Sequence, residues 1–531
     1  MLRFFFLLIA LLLPLRPAVS DGNAVRINEI LTSNTCTNLE PKSNNFVEWI
    51  ELYNAGEQPA DLTGLYLTDD LAQPARWRIT SDTPSGNVIA PKGYRVIWTD
   101  GLNQNGHANF KLDRDGEAVG LFDSNRNRID SIQFPAQRAD VSYGRQPDAG
   151  GDWIFFAEPT PGKANLTEGI PLARTAQPPE FSLAGGFHDR EIRVSLSSPA
   201  STAVIRFTTD GSIPSRVSSN YESPVAVSRT MVLRARAFEA GRLPSAVVTQ
   251  TYFIGETFTL PTVSLSMNPE YLWDDRTGIY VTGTNGIPGN CDGTRRNFNQ
   301  DWERPLHIEF YEPDGQSGFQ AEAGVKIFGG CSRDYPQKSL AFYTRKKYGT
   351  EIIEYPLFPD KPIRSYNNFL LRNGGNDWIR TLFSDAMMQY LLKDRMDIDY
   401  QAYRPAILFL NGEYRGIMNL REKLNEHYAA QNYGIDPEQV DLIENGSHVM
   451  NGDARHYNAL LDTIYTQDVK KQDVYAYIQT QMDADEYMNY VISKIYYSSM
   501  DWPHNNIKYW RPRIPDGRWR WMTYDNDSGF G

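Results

Sequence analysis

The chain has 531 residues and a net charge of −12, which argues against a nucleic-acid or anionic-membrane partner, since both need a basic footprint. Three cysteines exclude a disulfide-built scaffold, while 30 Tyr, 25 Phe, 11 Trp, 40 Gly and 32 Pro favour β-rich, turn-rich modules. This length implies two to four domains rather than one large core.

The N-terminus reads Met1-Leu2-Arg3, then an apolar run over 4–13, then 14–20 with Ala18 and Ser20 where a signal peptidase cuts. The run is short for a bilayer span. Residues 1–20 therefore read as a cleaved signal peptide, with a membrane anchor as the alternative. No later stretch has the length of a transmembrane helix, so a secreted or extracytoplasmic protein is expected, in the periplasm or at the cell surface. Of the cysteines, Cys291 and Cys331 share one predicted domain: either they pair, leaving Cys36 over, or none is bridged. No C-x-x-C or nearby His suggests zinc.

Residues 22–165 predict an all-β sandwich, because short alternating runs such as 46–52 and 94–98 are separated by turn clusters such as Asn54-Ala55-Gly56 and Asp113-Arg114-Asp115-Gly116. Asp123, Asn125 and Asn127 imitate the start of a calcium loop, but Arg128 stands where the loop needs Gly and Phe134 where it needs Glu, which favours a surface turn. The strings Ile27-Asn28-Glu29-Ile30, Glu48-Trp49-Ile50-Glu51-Leu52-Tyr53-Asn54, Asp61-Leu62-Thr63-Gly64 and Thr160-Pro161-Gly162 resemble the lamin-tail domain. That resemblance implies an immunoglobulin-like sandwich serving as a binding or spacer module, with no catalytic residues.

A Pro-rich break at Gln177-Pro178-Pro179 opens a second β segment, 178–255, with strand-like runs at 203–208, 232–238 and 247–253. Phe207-Thr208-Thr209-Asp210-Gly211-Ser212-Ile213-Pro214 sets an Asp-Gly turn after a strand. It is similar to the small sandwich at the C-terminus of chitobiases. Tyr221 and Phe207 either stack on sugar rings or, as aromatics more often do, pack inside.

From residue 260 the pattern becomes mixed α and β, with helical periodicity at 381–393, 425–431 and 485–497. The last of these places Met488, Val491, Ile492 and Ile495 on one face, which predicts that this face packs along a core. The loop after it reads Asp501-Trp502-Pro503-His504-Asn505-Asn506, with Pro503 restricting Trp502 to extended backbone. An Asp followed five residues later by an Asn has the spacing of a kinase catalytic loop, where the Asp takes the acceptor hydroxyl's proton and the Asn holds a metal. A predicted strand at 507–510, a Pro515-Asp516-Gly517 turn and a strand at 518–524 follow, ending on Asp525-Asn526-Asp527-Ser528-Gly529-Phe530-Gly531. Singly, these acids and amides read as solvated turn residues. The ordered set points to one site, because carboxylates with an amide oxygen are hard ligands suited to Mg²⁺.

Upstream, Asn411-Gly412 joins two apolar runs as a hairpin, and Glu422 follows where a kinase places its adenine-reading hinge. Gly324-Val325-Lys326-Ile327-Phe328-Gly329-Gly330-Cys331-Ser332-Arg333 carries a Gly-bearing turn between strands, with Lys338 beyond it. Gly329 and Gly330 could cover phosphates that Lys338 contacts. These strings, with Gly278-Ile279-Tyr280-Val281, Leu371-Arg372-Asn373 and Leu410-Asn411-Gly412-Glu413-Tyr414-Arg415-Gly416, resemble the CotH (spore coat protein H) kinase family over 260–531.

The resemblance implies an α+β atypical protein-kinase-like domain behind two all-β immunoglobulin-like sandwiches. It also implies ATP with Mg²⁺ or Mn²⁺, and transfer to Ser/Thr hydroxyls of a protein substrate. Carried over, Asp501 is the catalytic base and Asn506 and Asp525 are metal ligands, with Asp527 a close rival to Asp525. Two features depart from a kinase. The helix expected to supply the acid that anchors the lysine offers only Asp385 and Gln389, and Gly531 follows directly on the metal motif, so that the sequence is either a fragment or completes the lobe otherwise. The rival reading is a surface scaffold with an inactive kinase-like domain, its sandwiches binding polysaccharide or a surface protein. Glycoside hydrolysis ranks last, since no acid pair stands out.

Overall fold

The computed structural model describes residues 23–80 and 87–530, so the signal-peptide segment 1–20 lies outside the described residues. Two compact units divide the chain. One is built mainly from 46–175 with the preceding strand, the other mainly from 176–240 and 244–531.

The first unit is a two-sheet sandwich. One sheet runs through Gly169–Ile170, Asp152–Phe156, Ser142–Gln146, Val25–Leu31, Trp49–Asn54 and Tyr94–Trp98. The other runs through Trp77–Arg78, Tyr66–Thr68, Ala118–Phe122 and Arg128–Gln133. Alternate residues of both sheets, Ile27, Ile50, Leu52 and Ile97 against Leu67, Trp77, Val119 and Leu121, form its core.

The strings that mark this unit in the sequence form a buried polar lock. Glu51 accepts from Asn28 Nδ2 at 3.0 Å and from the Gly162 amide at 2.6 Å. Glu29 accepts from the Thr160 amide at 3.1 Å and its hydroxyl at 2.9 Å. Every donor answers a carboxylate, so these acids tie the Thr160-Pro161-Gly162 segment to the sheet. Asp123 accepts from the Asn125 and Asn127 amides at 2.8 and 2.7 Å, a self-contained turn as expected.

The second unit begins with a sandwich whose main sheet has the order Gly186–His188, Val248–Ile254, Met231–Phe238, Val204–Thr208 and Ser219–Asn220. Phe207 and Tyr221, both half-buried, pack against its core of Val194, Ile205 and Leu233. Phe253 of this sandwich shares an apolar cluster with Tyr311, Ile407 and Phe409 of the following module, and the Thr251 amide donates to Glu309 at 3.1 Å.

That following module opens with a closed barrel of Thr262–Ser266, Arg304–Tyr311, Ser317–Phe328, Ser339–Tyr343, Asn368–Arg372, Glu413–Arg421 and Tyr403–Leu410. Its hairpin turns on Asn411 and Gly412, both left-handed at φ 51 and 80, the conformation that makes Asn-Gly a two-residue hairpin signal. A second sheet follows: Asp399–Tyr400, Arg520–Thr523, Lys508–Pro512, Val440–Glu444 and His448–Asn451. Helices Arg455–Thr466, Gln472–Gln481 and Ala484–Tyr496 pack over it through Leu460, Ile478, Tyr490, Tyr509 and Trp519. The first two of these helices are not evident in the sequence reading.

The third corrects it. Met488, Ile492 and Ile495 are exposed, whereas Glu486, Tyr490, Ser493 and Lys494 are buried. The helix turns its polar and aromatic row inward because that row carries partners for buried groups: Trp521 N–H donates to Glu486 at 2.9 Å, and Lys494 donates to Asn526 Oδ1 at 2.7 Å. Hydrophobic periodicity alone does not register those bonds.

Candidate active site

The site assembles where the barrel strand Asn368–Arg372, the helix Ser384–Leu392 and the turn after strand Arg520–Thr523 meet. Arg372, the last residue of its strand, donates through Nη1 to Asp385 Oδ2 at 2.8 Å and through Nη2 to Asp527 Oδ2 at 3.0 Å, and it also contacts Asp525. Asp385 lies in the first turn of its helix and accepts from Arg421 Nη1 at 2.9 Å and the Asn526 amide at 2.8 Å. Burial works to raise the Asp385 pKa, but the two guanidiniums outweigh it and hold the carboxyl well below its usual range. Asp385 and Arg372 thus form a buried ion pair.

Asp527 is fixed by the chain as well as by charge. Asn376 donates its amide to Oδ2 at 3.0 Å and its side-chain nitrogen to Oδ1 at 3.2 Å. This approach depends on Gly374 and Gly375, both left-handed at φ 94 and 63. A side chain on Gly375 would run into Asp527 Oδ2 and Arg372 Nη2. Burial first, and the neighbouring Asp525 second, push the Asp527 carboxyl up to about 7.

Asp501 accepts from Asn506 Nδ2 at 3.0 Å and Asn505 Nδ2 at 2.9 Å, and pairs with His504 at 3.3 Å. Asn506 and Asp525 both hold left-handed backbone, φ 56 and 53, a conformation that non-glycine residues keep only where the surroundings impose it, often at functional sites.

Lys494 pins the 524–526 turn. Only 1 % exposed, it donates to the Tyr524 carbonyl at 2.9 Å as well as to Asn526. Burial brings its ammonium down to about 8 against the attraction of the surrounding carboxylates.

The residues expected to bind the cofactor lie differently. Lys338 donates to the Arg333 and Tyr335 carbonyls at 2.6 and 3.2 Å and rests 3.8 Å from the centre of the Phe298 ring. Its ammonium is occupied there, and the cation that meets the acids is Arg372. Gly329 gives its carbonyl to Arg333 Nε at 2.6 Å, and Gly330 opens the short turn Cys331–Asp334, whose Cys331 is bridged to Cys291. This segment reaches the acids through Asn373, which donates to the Gln337 carbonyl at 2.6 Å and accepts from Ser339 Oγ at 2.9 Å. Glu422 is buried by Lys361 at 2.6 Å, Asn432 at 3.0 Å and the Ala402 amide at 2.7 Å, and its carbonyl accepts from Gln401. Its side chain is a structural anchor.

Among the described residues, no group of three or more His, Cys, Asp or Glu is arranged to hold a metal ion. The donor set nonetheless suits a hard divalent cation. Asp525 and Asp527 carry carboxylate oxygens beside one another, and the Arg372 guanidinium lying against both shows that positive charge is accommodated there.

Residues 325–531 match the family model described as CotH kinase protein, 18–136 match the Lamin Tail Domain and 183–249 match the Chitobiase/beta-hexosaminidase C-terminal domain. Strands Thr262–Ser266 and Arg304–Tyr311, needed to close the barrel, precede the first match, and strands Ser142–Gln146 and Asp152–Phe156 extend the sheet beyond the second. No curated protein matches the chain. A solved structure described as "Biofilm associated protein - BSP domain" is 11% identical, covering 61% of this chain and 65% of its own, with a TM-score of 0.11, a likeness that carries no argument. Among the described residues no helix is long and apolar enough to cross a membrane.

Proposed function

We propose that the chain is an exported protein kinase of the CotH type that transfers the γ-phosphoryl group of ATP to Ser or Thr hydroxyls of a protein. Its modules are taken as 22–165, 178–255 and 260–531. The observation that carries this reading is that Arg372 holds Asp385, Asp525 and Asp527 together at the end of its barrel strand. Export is supported by the leader-like residues 1–20 and by the Cys291–Cys331 bridge, which belongs to an oxidising compartment.

In this reading Asp501 receives the acceptor's proton, its carboxylate aimed by Asn505 and Asn506. Asn506, Asp525 and Asp527 would hold Mg²⁺ or Mn²⁺, which when bound neutralises phosphate charge. Arg372 steadies both acids and takes the role first given to Lys338, with Asp385 holding it in place. Lys494 pins the 524–526 turn that presents the acids. Gly329 and Gly330 stand as a phosphate cover, and Glu422 marks the hinge by its place in the chain, its carboxylate and carbonyl being engaged by Lys361, Asn432, Ala402 and Gln401.

Incubating the full chain with labelled ATP, metal and extracellular proteins tests this. Transfer is expected, dropping about a hundredfold or more in Asp501→Ala, and unchanged transfer in that variant would overturn its role. A second reading, an inactive kinase-like scaffold, is favoured by the guanidinium lying across Asp525 and Asp527. A metal-dependent rise in melting temperature with ATP counts against it.

A further inference from the structure

A cavity of about 350 Å³ lies in the second unit where the Asp210-Gly211 turn of the sandwich meets the Asn411-Gly412 turn of the barrel. Two glycines make the meeting possible: a side chain on Gly211 would enter Asn411, and one on Gly412 would strike the backbone at Met231, 2.8 Å from its Cα. Asn411 holds the wall rigid, accepting from the Met267 amide and donating to its carbonyl, both at 2.9 Å.

The lining has unusual chemistry for a junction between modules. Trp273 is 42% exposed, held edge-on by Tyr280 at 5.3 Å between ring centres and covered by Arg415 at 5.6 Å. Around it stand two acids, Asp210 and Glu413, and two guanidiniums, Arg229 and Arg415. Asp210 accepts from the Ser212 amide and hydroxyl at 2.9 and 2.6 Å, and Glu413 pairs with Arg415. Arg229 is exposed and makes no hydrogen bond or ion pair among the described residues. Arg415 Nε is buried without a partner, although Nη2 donates to Glu413 at 2.6 Å.

We propose that this cavity binds a neutral saccharide. Opposite charges in equal number disfavour an anion such as a phosphate or a uronate, which two acids would repel. A polyol uses both: carboxylates accept from its hydroxyls and guanidiniums donate to its ring and hydroxyl oxygens. The part of the indole that Arg415 and Tyr280 leave exposed offers apolar carbon to the C–H groups of a sugar ring, with a polar N–H at its rim. The site shares no residue with the acid cluster at Arg372 and does not depend on phosphoryl transfer.

The test is titration of the full chain with cellotetraose, chitotetraose, xylotetraose and mannotetraose, and with tetragalacturonate as the acidic comparison, followed by tryptophan fluorescence and calorimetry. At least one neutral oligosaccharide is expected to bind, with Kd raised about tenfold or more in both Trp273→Ala and Arg229→Ala. Arg229 is exposed and unbonded, so its variant keeps the fold even if the tryptophan variant does not. Binding of none of the neutral probes at millimolar concentration, binding of tetragalacturonate alone, or binding unaffected by Arg229→Ala overturns the proposal.

Discussion

Arg372 and Asp385 form a buried ion pair, 2.8 Å between Nη1 and Oδ2, that ties the end of a barrel strand to the first turn of a helix. Through its other nitrogen, Arg372 also holds Asp527 and Asp525. The integrity of the candidate site and the stability of the module are therefore linked through one side chain.

Replacing Arg372 by Met leaves three carboxylates short of a cation. Breaking a buried pair in this way costs about 3–5 kcal/mol, which should appear as a lower denaturant midpoint. Arg372→Lys, which keeps the charge but not the fork, should cost less. Equal stability of the Met variant and the parent would mean that Arg421 alone neutralises Asp385.

Gly375→Ala forces a side chain into Asp527 at a left-handed φ of 63. Strain of this kind is worth about 1–3 kcal/mol, and the displaced Asp527 should also abolish the metal-dependent melting shift given by ATP. Retention of that shift would exclude Asp527 from the metal site.

Glu486 provides a pH signature away from the acids. It is fully buried, accepts one amide bond from Trp521 and has Oε1 unpartnered. Burial raises its pKa to about 9 in the folded chain from the ordinary 4.5. The folded state therefore binds the proton more tightly than the unfolded chain. This stabilisation is complete below the unfolded pKa and is lost as pH rises towards 9. The melting temperature of the second unit should fall over that interval, and Glu486→Gln should flatten the fall. An unchanged slope in the variant would assign the dependence to other groups.

The Cys291–Cys331 bridge closes a loop with a sequence separation of 40. A loop of that length corresponds to about 4 kcal/mol of unfolded-chain entropy. Mild reduction, or Cys291→Ser, should lower the melting temperature, and peptide mapping without reductant should recover the linked pair. Free thiols at both positions in exported material would remove this support for an oxidising compartment.

Turns and hairpins were readable from sequence because their chemistry is local. Asn411-Gly412 demands two left-handed residues, Asp123 closes on amides two and four residues ahead, and the Asp501 to Asn506 spacing brings the two side chains within 3.0 Å. Each depends on a handful of consecutive residues, and each appears in the structure as the local rules require.

Which charges meet was decided only by the tertiary structure. Arg372 finds Asp385 across 13 positions and Asp527 across 155, a choice made when the barrel closes and the last sheet delivers its turn. Lys338 looked the natural phosphate contact by chain order, but neighbouring carbonyls and the Phe298 ring take its ammonium. Lys494 was hidden because apolar periodicity favours the face of Met488, Ile492 and Ile495, which the fold leaves exposed. The sequence alone determined the modules' β-rich character, their turns and the acids available for chemistry, since these follow from residue type and near spacing. The tertiary structure decided the partners of those acids, because a buried charge is settled by whichever opposite charge or hydrogen-bond donor the packed chain brings to it.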